Sequence, residues 1–166
     1  MITMYYLSVF IHITSAIFWI GGMLFTAGVL VPATRHELLK NKKGEFFTLV
    51  GKKFSRISWV LFIALIVTGI TNLLTRGYTI EQLLTGSFWI EVFGGYLFIK
   101  LLVFGLVLIV SGIHDFYAGP KAAELMDEQP DHSQTKQMRK ISSWLGRLNL
   151  ILGLVILYYA MRLLRG

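Results

Sequence analysis

The sequence predicts an all-α integral membrane four-helix bundle, and three observations carry that prediction. Four apolar segments, at about 5–31, 57–75, 89–114 and 144–162, each reach or approach the ~20 residues a helix needs to cross ~30 Å of hydrocarbon. No run of about ten alternating residues recurs with turn signals, which excludes a transmembrane barrel and leaves helices, whose backbone bonds close on themselves in lipid. Hydrophobic residues make up 55% of the 166 and the mean hydropathy is +0.64, so little chain is left for a soluble domain. The expected organisation is one transmembrane domain over 1–166, with connections at 33–56 and 115–143.

Each element has its own signals. The first segment has no basic stretch before it and is too long for the apolar part of a signal peptide, so it reads as a retained helix that Pro32 ends or bends. Residues 40–51 form a polar elbow, with an amphipathic piece at 45–54 expected to lie on the membrane surface. The second helix should begin near Ser55 and close in the turn-prone run 72–77. Between it and the third, Thr79-Ile-Glu-Gln82 and Ser87-Phe-Trp-Ile-Glu91 look like helix starts. The hydrophilic stretch 115–137, with Pro120 and Pro130, reads as a mobile loop before the last helix.

Charge sets the expected topology. The +7 net charge suggests nucleic acid only until its location is read. Arg35, Lys40, Lys42, Lys43, Lys52, Lys53 and Arg56 crowd the first connection and Lys121, Lys136, Arg139 and Lys140 the third, whereas the second holds only Arg76. This positive-inside pattern places both basic connections in the cytoplasm of a cell inner (plasma) membrane, where they face anionic headgroups, with both termini outside. The lipid bilayer is thus the first partner, and nucleic acid is not expected. Cysteine is absent, which rules out disulfides and thiolate ligands.

A membrane bundle needs small residues where helices touch, and Gly21, Gly22, Gly28, Gly69, Gly94, Gly95, Gly105, Gly112, Gly146 and Gly153 supply them. The same glycines fit a homodimer. Against this apolar background the polar residues stand out. His12 and Lys100 lie within roughly 10 Å of the bilayer centre and within roughly 6 Å of each other in depth. A charge there costs ~3 kcal/mol or more, so an intramembrane ionisable residue is a functional-site hypothesis by default. Lys100, Phe104, Val107, Ser111 and His114 share one helix face, as do His12, Ser15, Trp19, Gly22, Met23 and Thr26. These stripes are expected to face each other. His114 falls near the inner surface, level with His36, so His12 and His114, roughly 27 Å apart in depth, belong to separate levels. Arg147, Asn149 and Asn72 read as stitches between helices, and His132 as solvated.

No P-loop, Rossmann glycine pattern, His-Glu-x-x-His or nucleophile elbow is present, so any chemistry belongs to a bound metal or macrocycle. Neutral imidazole suits iron and copper alike. Copper(I) would prefer thioethers, and only Met4 and Met23 flank His12.

The stretch from His12-Ile-Thr-Ser-Ala-Ile-Phe-Trp19 to Phe25 resembles the opening helix of copper resistance D-like (CopD-like) membrane proteins. Phe54-Ser-Arg-Ile-Ser-Trp59, Thr68-Gly-Ile-Thr-Asn72 and Gly95-Tyr-Leu-Phe-Ile-Lys100 resemble that family's next two helices in order. The chain is also similar to HemJ-type protoporphyrinogen oxidases, through the early histidine with Trp19, through Pro32, Arg35 and His36, and through Lys100 to Leu102 followed by Ser111 to His114. The likeness runs from His12 to near the end of the third helix. The acid and proline that open the last helix of those oxidases are absent from Leu145-Gly-Arg-Leu-Asn149.

The resemblance implies four helices and b-type haem, with His12 as an axial ligand and Lys100 as the essential polar, candidate catalytic residue. The resulting expectation is a haem b redox protein, an electron carrier or oxidoreductase, with haem between the first and third helices beside Trp19 and Gly22. Lys100 would neutralise a propionate or substrate carboxylate, and His114 with His36 would form an inner ligand or proton-relay pair. A quinone, a porphyrinogen or another electron-transfer partner would serve it. The alternative is a copper-handling permease or copper-binding protein, with His12 and His114 as ligands.

The topology is directly testable. Eleven of the sixteen basic residues sit in the two expected inner connections, so a reporter active only in the cytoplasm, fused after Gly166, is expected to be silent. Strong activity would reverse the assignment.

Overall fold

The computed structural model describes residues 2–34, 36, 43–129 and 132–165. Arg35, Lys40, Lys42 and Pro130 lie outside the described residues. In order, the chain forms α1 (Ile2–Phe25), a π-helical segment (Thr26–Leu30), α2 (Val31–Ala33), α3 (Lys43–Thr75), α4 (Ile80–Leu84), α5 (Gly86–Ile90), α6 (Val92–Ile113), a second π-helical segment (His114–Ala118), α7 (Gly119–Glu128) and α8 (Ser133–Arg165). Four helical stretches are long and apolar enough to cross a membrane: Thr3–Ala33, Gly44–Thr75, Val92–Met126 and Ser133–Leu164. They are spans 1 to 4. No strand occurs among the described residues, and the protein is an all-α membrane bundle. Its two ends are distinguished as the termini end and the basic end, the latter carrying the two Lys/Arg-rich connections.

The helices outrun the apolar segments, and the prolines explain why. Pro32 was expected to end or bend the first helix, and Pro120 to stand in a loop. Each closely follows a π segment, and neither ends its helix. Proline lacks an N–H and its ring collides with the carbonyl four residues back. One extra residue per turn relieves that collision. The widened turns are closed by Val31 N–H to the Thr26 carbonyl and Gly119 N–H to the His114 carbonyl. The helix therefore runs on to Ala33 in one case and Glu128 in the other.

Two further expectations are corrected. Residues 45–54 are no separate surface piece but the first turns of α3. The stretch expected as a mobile loop forms α7 and the start of α8, and Thr135 closes the corner between them. Its side chain is fully buried and its hydroxyl donates to the Gln129 carbonyl at 2.6 Å, with the Leu125 carbonyl at 3.3 Å.

At the termini end, Thr79 forms the expected capping box. Its hydroxyl accepts from Gln82 N–H at 3.2 Å, while Thr79 N–H donates to Gln82 Oε1 at 2.9 Å. α5 begins at Gly86, one residue before the expected start. Trp89 Nε1–H donates to the Leu83 carbonyl at 3.1 Å, folding α4 and α5 onto each other. Span 3 then enters beneath them, and a side chain at Gly94 would collide with the Phe88 carbonyl oxygen. That glycine serves a close backbone approach.

Span 1 packs along span 2, span 3 along span 4, and span 1 also touches span 4. Spans 2 and 3 meet through ring contacts, with Phe62 edge-on to Phe104 at 5.9 Å and Trp59 against Phe116 at 5.5 Å. Spans 1 and 3 thus lie across the diagonal. Their two stripes do point inward: Trp19 and Ser15 are buried on one, and Val107 and Ser111 on the other. Both feed one core cluster, in which Phe62 of span 2 lies with Trp19 and Val107, its ring tilted edge-on to Trp19 at 5.2 Å. Asn149 stitches as expected, its amide donating to Ser111 Oγ at 3.0 Å. Arg147 instead lies over Trp144 of its own helix, 5.3 Å from the ring.

Gly94→Ala should destabilise the protein by roughly 2 kcal/mol, a typical overpacking cost. Gly105→Ala, where an added methyl meets nothing within 4 Å, should be neutral or slightly stabilising. Thermal unfolding in detergent checks the pair, and equal midpoints for the two variants would remove the argument.

Candidate functional site

Polar side chains gather at two levels, and span 2 organises both. At the termini end, His12 Nδ1 lies 2.8 Å from Thr68 Oγ1. The threonine hydroxyl donates its own proton to the Ala64 carbonyl at 2.5 Å, so its oxygen accepts and the ring nitrogen is the donor. That assigns the tautomer: Nδ1 carries the hydrogen and Nε2 keeps its lone pair. One turn earlier on span 1, Ser8 Oγ–H donates to the Thr68 carbonyl at 3.2 Å. Gly69 leaves the space beside the ring, since an added Cβ would stand 3.6 Å from His12 Cε1.

Lys100 is half-buried on span 3. Its ammonium lies within electrostatic reach of both the His12 ring and Arg76. Among the described residues no carboxylate pairs with it, and the Asn72 Oδ1 atom is buried without a hydrogen-bond partner. Lys100 thus shares its level of the bundle with His12 and Arg76, and among the described residues no acid stands against it.

Trp19 and Gly22 belong to packing. Trp19 is only 3% exposed within the core, and Gly22 lies directly against the Phe54 ring, which a side chain there would strike. The diagonal between spans 1 and 3, next to Trp19, is filled by Phe62 and Val107, at 1% and 0% exposure. A haem does not fit there. Two open clefts among the described residues, of about 480 and 190 Å³, are lined by Gln137, Lys140, Ile141, Trp144, Leu145 and Leu148 and by Phe10, Ile11, Thr14, Ser15, Phe18 and Leu61. Neither includes His12, Lys100 or His114.

At the basic end, His114 Nδ1 lies 2.8 Å from Asp115 Oδ1, and the other carboxylate oxygen accepts from Ser55 Oγ–H at 2.6 Å and Trp59 Nε1–H at 3.1 Å. His114 Nε2 faces Ser142 Oγ of span 4 at 3.3 Å. The π segment explains how adjacent residues manage this, because its widened turn starts at His114. His114 does not cap a helix end, since the helix continues past it. His36 is exposed just beyond α2, its backbone N–H donating to the Ala33 carbonyl at 3.1 Å.

Sequence reading missed Thr68, Asp115, Ser55 and Ser142 as members of these clusters. Thr68 was visible as a polar residue deep in an apolar segment, and Asp115 as the acid next to a histidine. Their partners depend on inter-helix register, which no local pattern carries. Among the described residues no group of three or more His, Asp or Glu side chains could hold a metal by itself. A metal bound here would bring part of its coordination shell with it.

The family model for "Copper resistance protein D" matches residues 49–163. The match lies on spans 2 to 4, whereas the resemblance read from the sequence began at His12. An uncharacterized protein of Aquifex aeolicus (strain VF5) is 35% identical over 170 residues, covering 100% of this chain and 99% of that protein. No solved structure matches the chain. With spans 2 to 4 matched in one family and a relative aligned end to end, the chain belongs to the copper resistance D family of membrane proteins.

Proposed function

We propose that this protein handles copper in the membrane, with His12 Nε2 as the ligand atom at the termini end. Family membership supports copper. The observation that carries the site is the Thr68 bond that fixes the His12 tautomer. A neutral imidazole with a committed Nδ1–H and a free lone pair is what a copper ion needs. Thioethers do not assist, because Met4 is 67% exposed and Met23 packs near Gly153. Copper's remaining ligands are therefore exogenous and anionic, and Lys100 with Arg76 balances their charge. The basic connections face the cytoplasm in this reading, so copper meets His12 from outside.

This displaces the haem expectation. Neither the family nor the relative supports haem b, electron transfer, a quinone or a porphyrinogen, and the packed diagonal does not fit a macrocycle.

Copper titration of the purified protein against a competing chelator tests the reading. His12→Ala should weaken binding at this site roughly tenfold or more, since ligand support alone is worth about that much. Thr68→Val keeps the volume, removes the acceptor and should weaken binding by roughly tenfold, whereas Thr68→Ser should retain it. A Soret band in a protein that takes up no copper would overturn the proposal.

A further inference from the structure

The second histidine is held more tightly than the first. Three donors, from His114, Ser55 and Trp59, converge on the Asp115 carboxylate, whose side chain is 11% exposed. A carboxylate so surrounded is an acceptor only. The neutral His114 ring must then carry its proton on Nδ1 and present the Nε2 lone pair towards span 4. A carboxylate behind one ring nitrogen, fixing orientation and raising the basicity of the other, is the usual support of a metal-ligating histidine. The Ser142 hydroxyl in front of Nε2, at 3.3 Å, is a long contact for an O–H donor and one that an ion can replace. Met138 lies one helical turn from Ser142 on the same face and is half-buried, which adds a thioether to that side.

We infer that His114 Nε2 is a second copper-ligating atom, at the basic end of the bundle, with Asp115 as its positioning residue. The inference rests on the copper reading and extends it from one station to two. Both histidines are oriented by side chains of span 2, Thr68 for one and Ser55 with Trp59 through Asp115 for the other. Those anchors are 9 to 13 residues apart along one helix, roughly 14–20 Å at the helical rise. Between the two levels the core is closed by Phe62, Val107 and Trp19.

The experiment uses the full chain in detergent, titrated with copper(II) alone, with stoichiometry read by mass spectrometry and nitrogen coordination by electron paramagnetic resonance. The parent should bind two ions, and His12→Ala and His114→Ala one each, with different residual spectra. His114→Gln, whose amide can still donate to Asp115, should also bind one and guards against a folding defect. Asp115→Asn should keep both sites but weaken the second about 10- to 100-fold, and Asp115→Glu should restore part of that loss. Two ions retained in both His114 variants, or a single ion in the parent that only His12→Ala removes, would overturn the second station and leave the copper reading standing. A parent that binds no copper would overturn the copper reading itself.

Discussion

Helix faces in a bilayer gain little from hydrophobic contrast, because lipid tails are as apolar as leucine. Register must come from somewhere else, and here it comes from the hydrogen bonds that span 2 exchanges with its neighbours. Thr68 holds His12 and Ser8 of span 1, and Ser55 and Trp59 hold Asp115 of span 3. Asn149 fastens span 4 to Ser111. Close packing follows this alignment, with Phe62 wedged among Trp19, Trp59 and Phe104. The residues that could bind an ion are the same ones that align the helices, so site and scaffold cannot be separated by position alone.

Much of the fold was legible in the chain because it rests on local quantities. Segment length and apolarity identify a crossing helix whatever its neighbours, and the inward faces of spans 1 and 3 follow from spacing: Trp19, Val107 and Ser111 were placed there and are buried. The Thr79 capping box is equally local. Helix ends were misjudged for a physical reason. Pro32 read as an end or a bend, and Pro120 and the basic stretches as connections, yet a π turn absorbs a proline and a charged helix can continue beyond the apolar region into the interface.

The site was legible only in part. Depth placed His12 beside Lys100, since depth depends on residue count along each helix. Neighbourhood around the bundle does not, and spans 1 and 3 turned out to be diagonal with an aromatic core between them. That arrangement sets Trp19 and Phe62 against each other and puts Gly22 under the Phe54 ring, while the imidazoles meet hydroxyl and carboxylate partners.

The π segments carry a mechanical consequence. Both occur in helices that run in the same direction, at nearly the same distance from the termini end. At each one the axial ladder of backbone bonds is interrupted, and a proline follows. Bending stiffness of a helix resides in that ladder. Spans 1 and 3 can therefore bend most readily where they approach the basic connections, and on span 3 the Asp115 bonds to Ser55 and Trp59 hold that turn against span 2. The give of the backbone is thus concentrated at one end of the bundle, where side-chain bonds rather than the helix ladder set the position of His114.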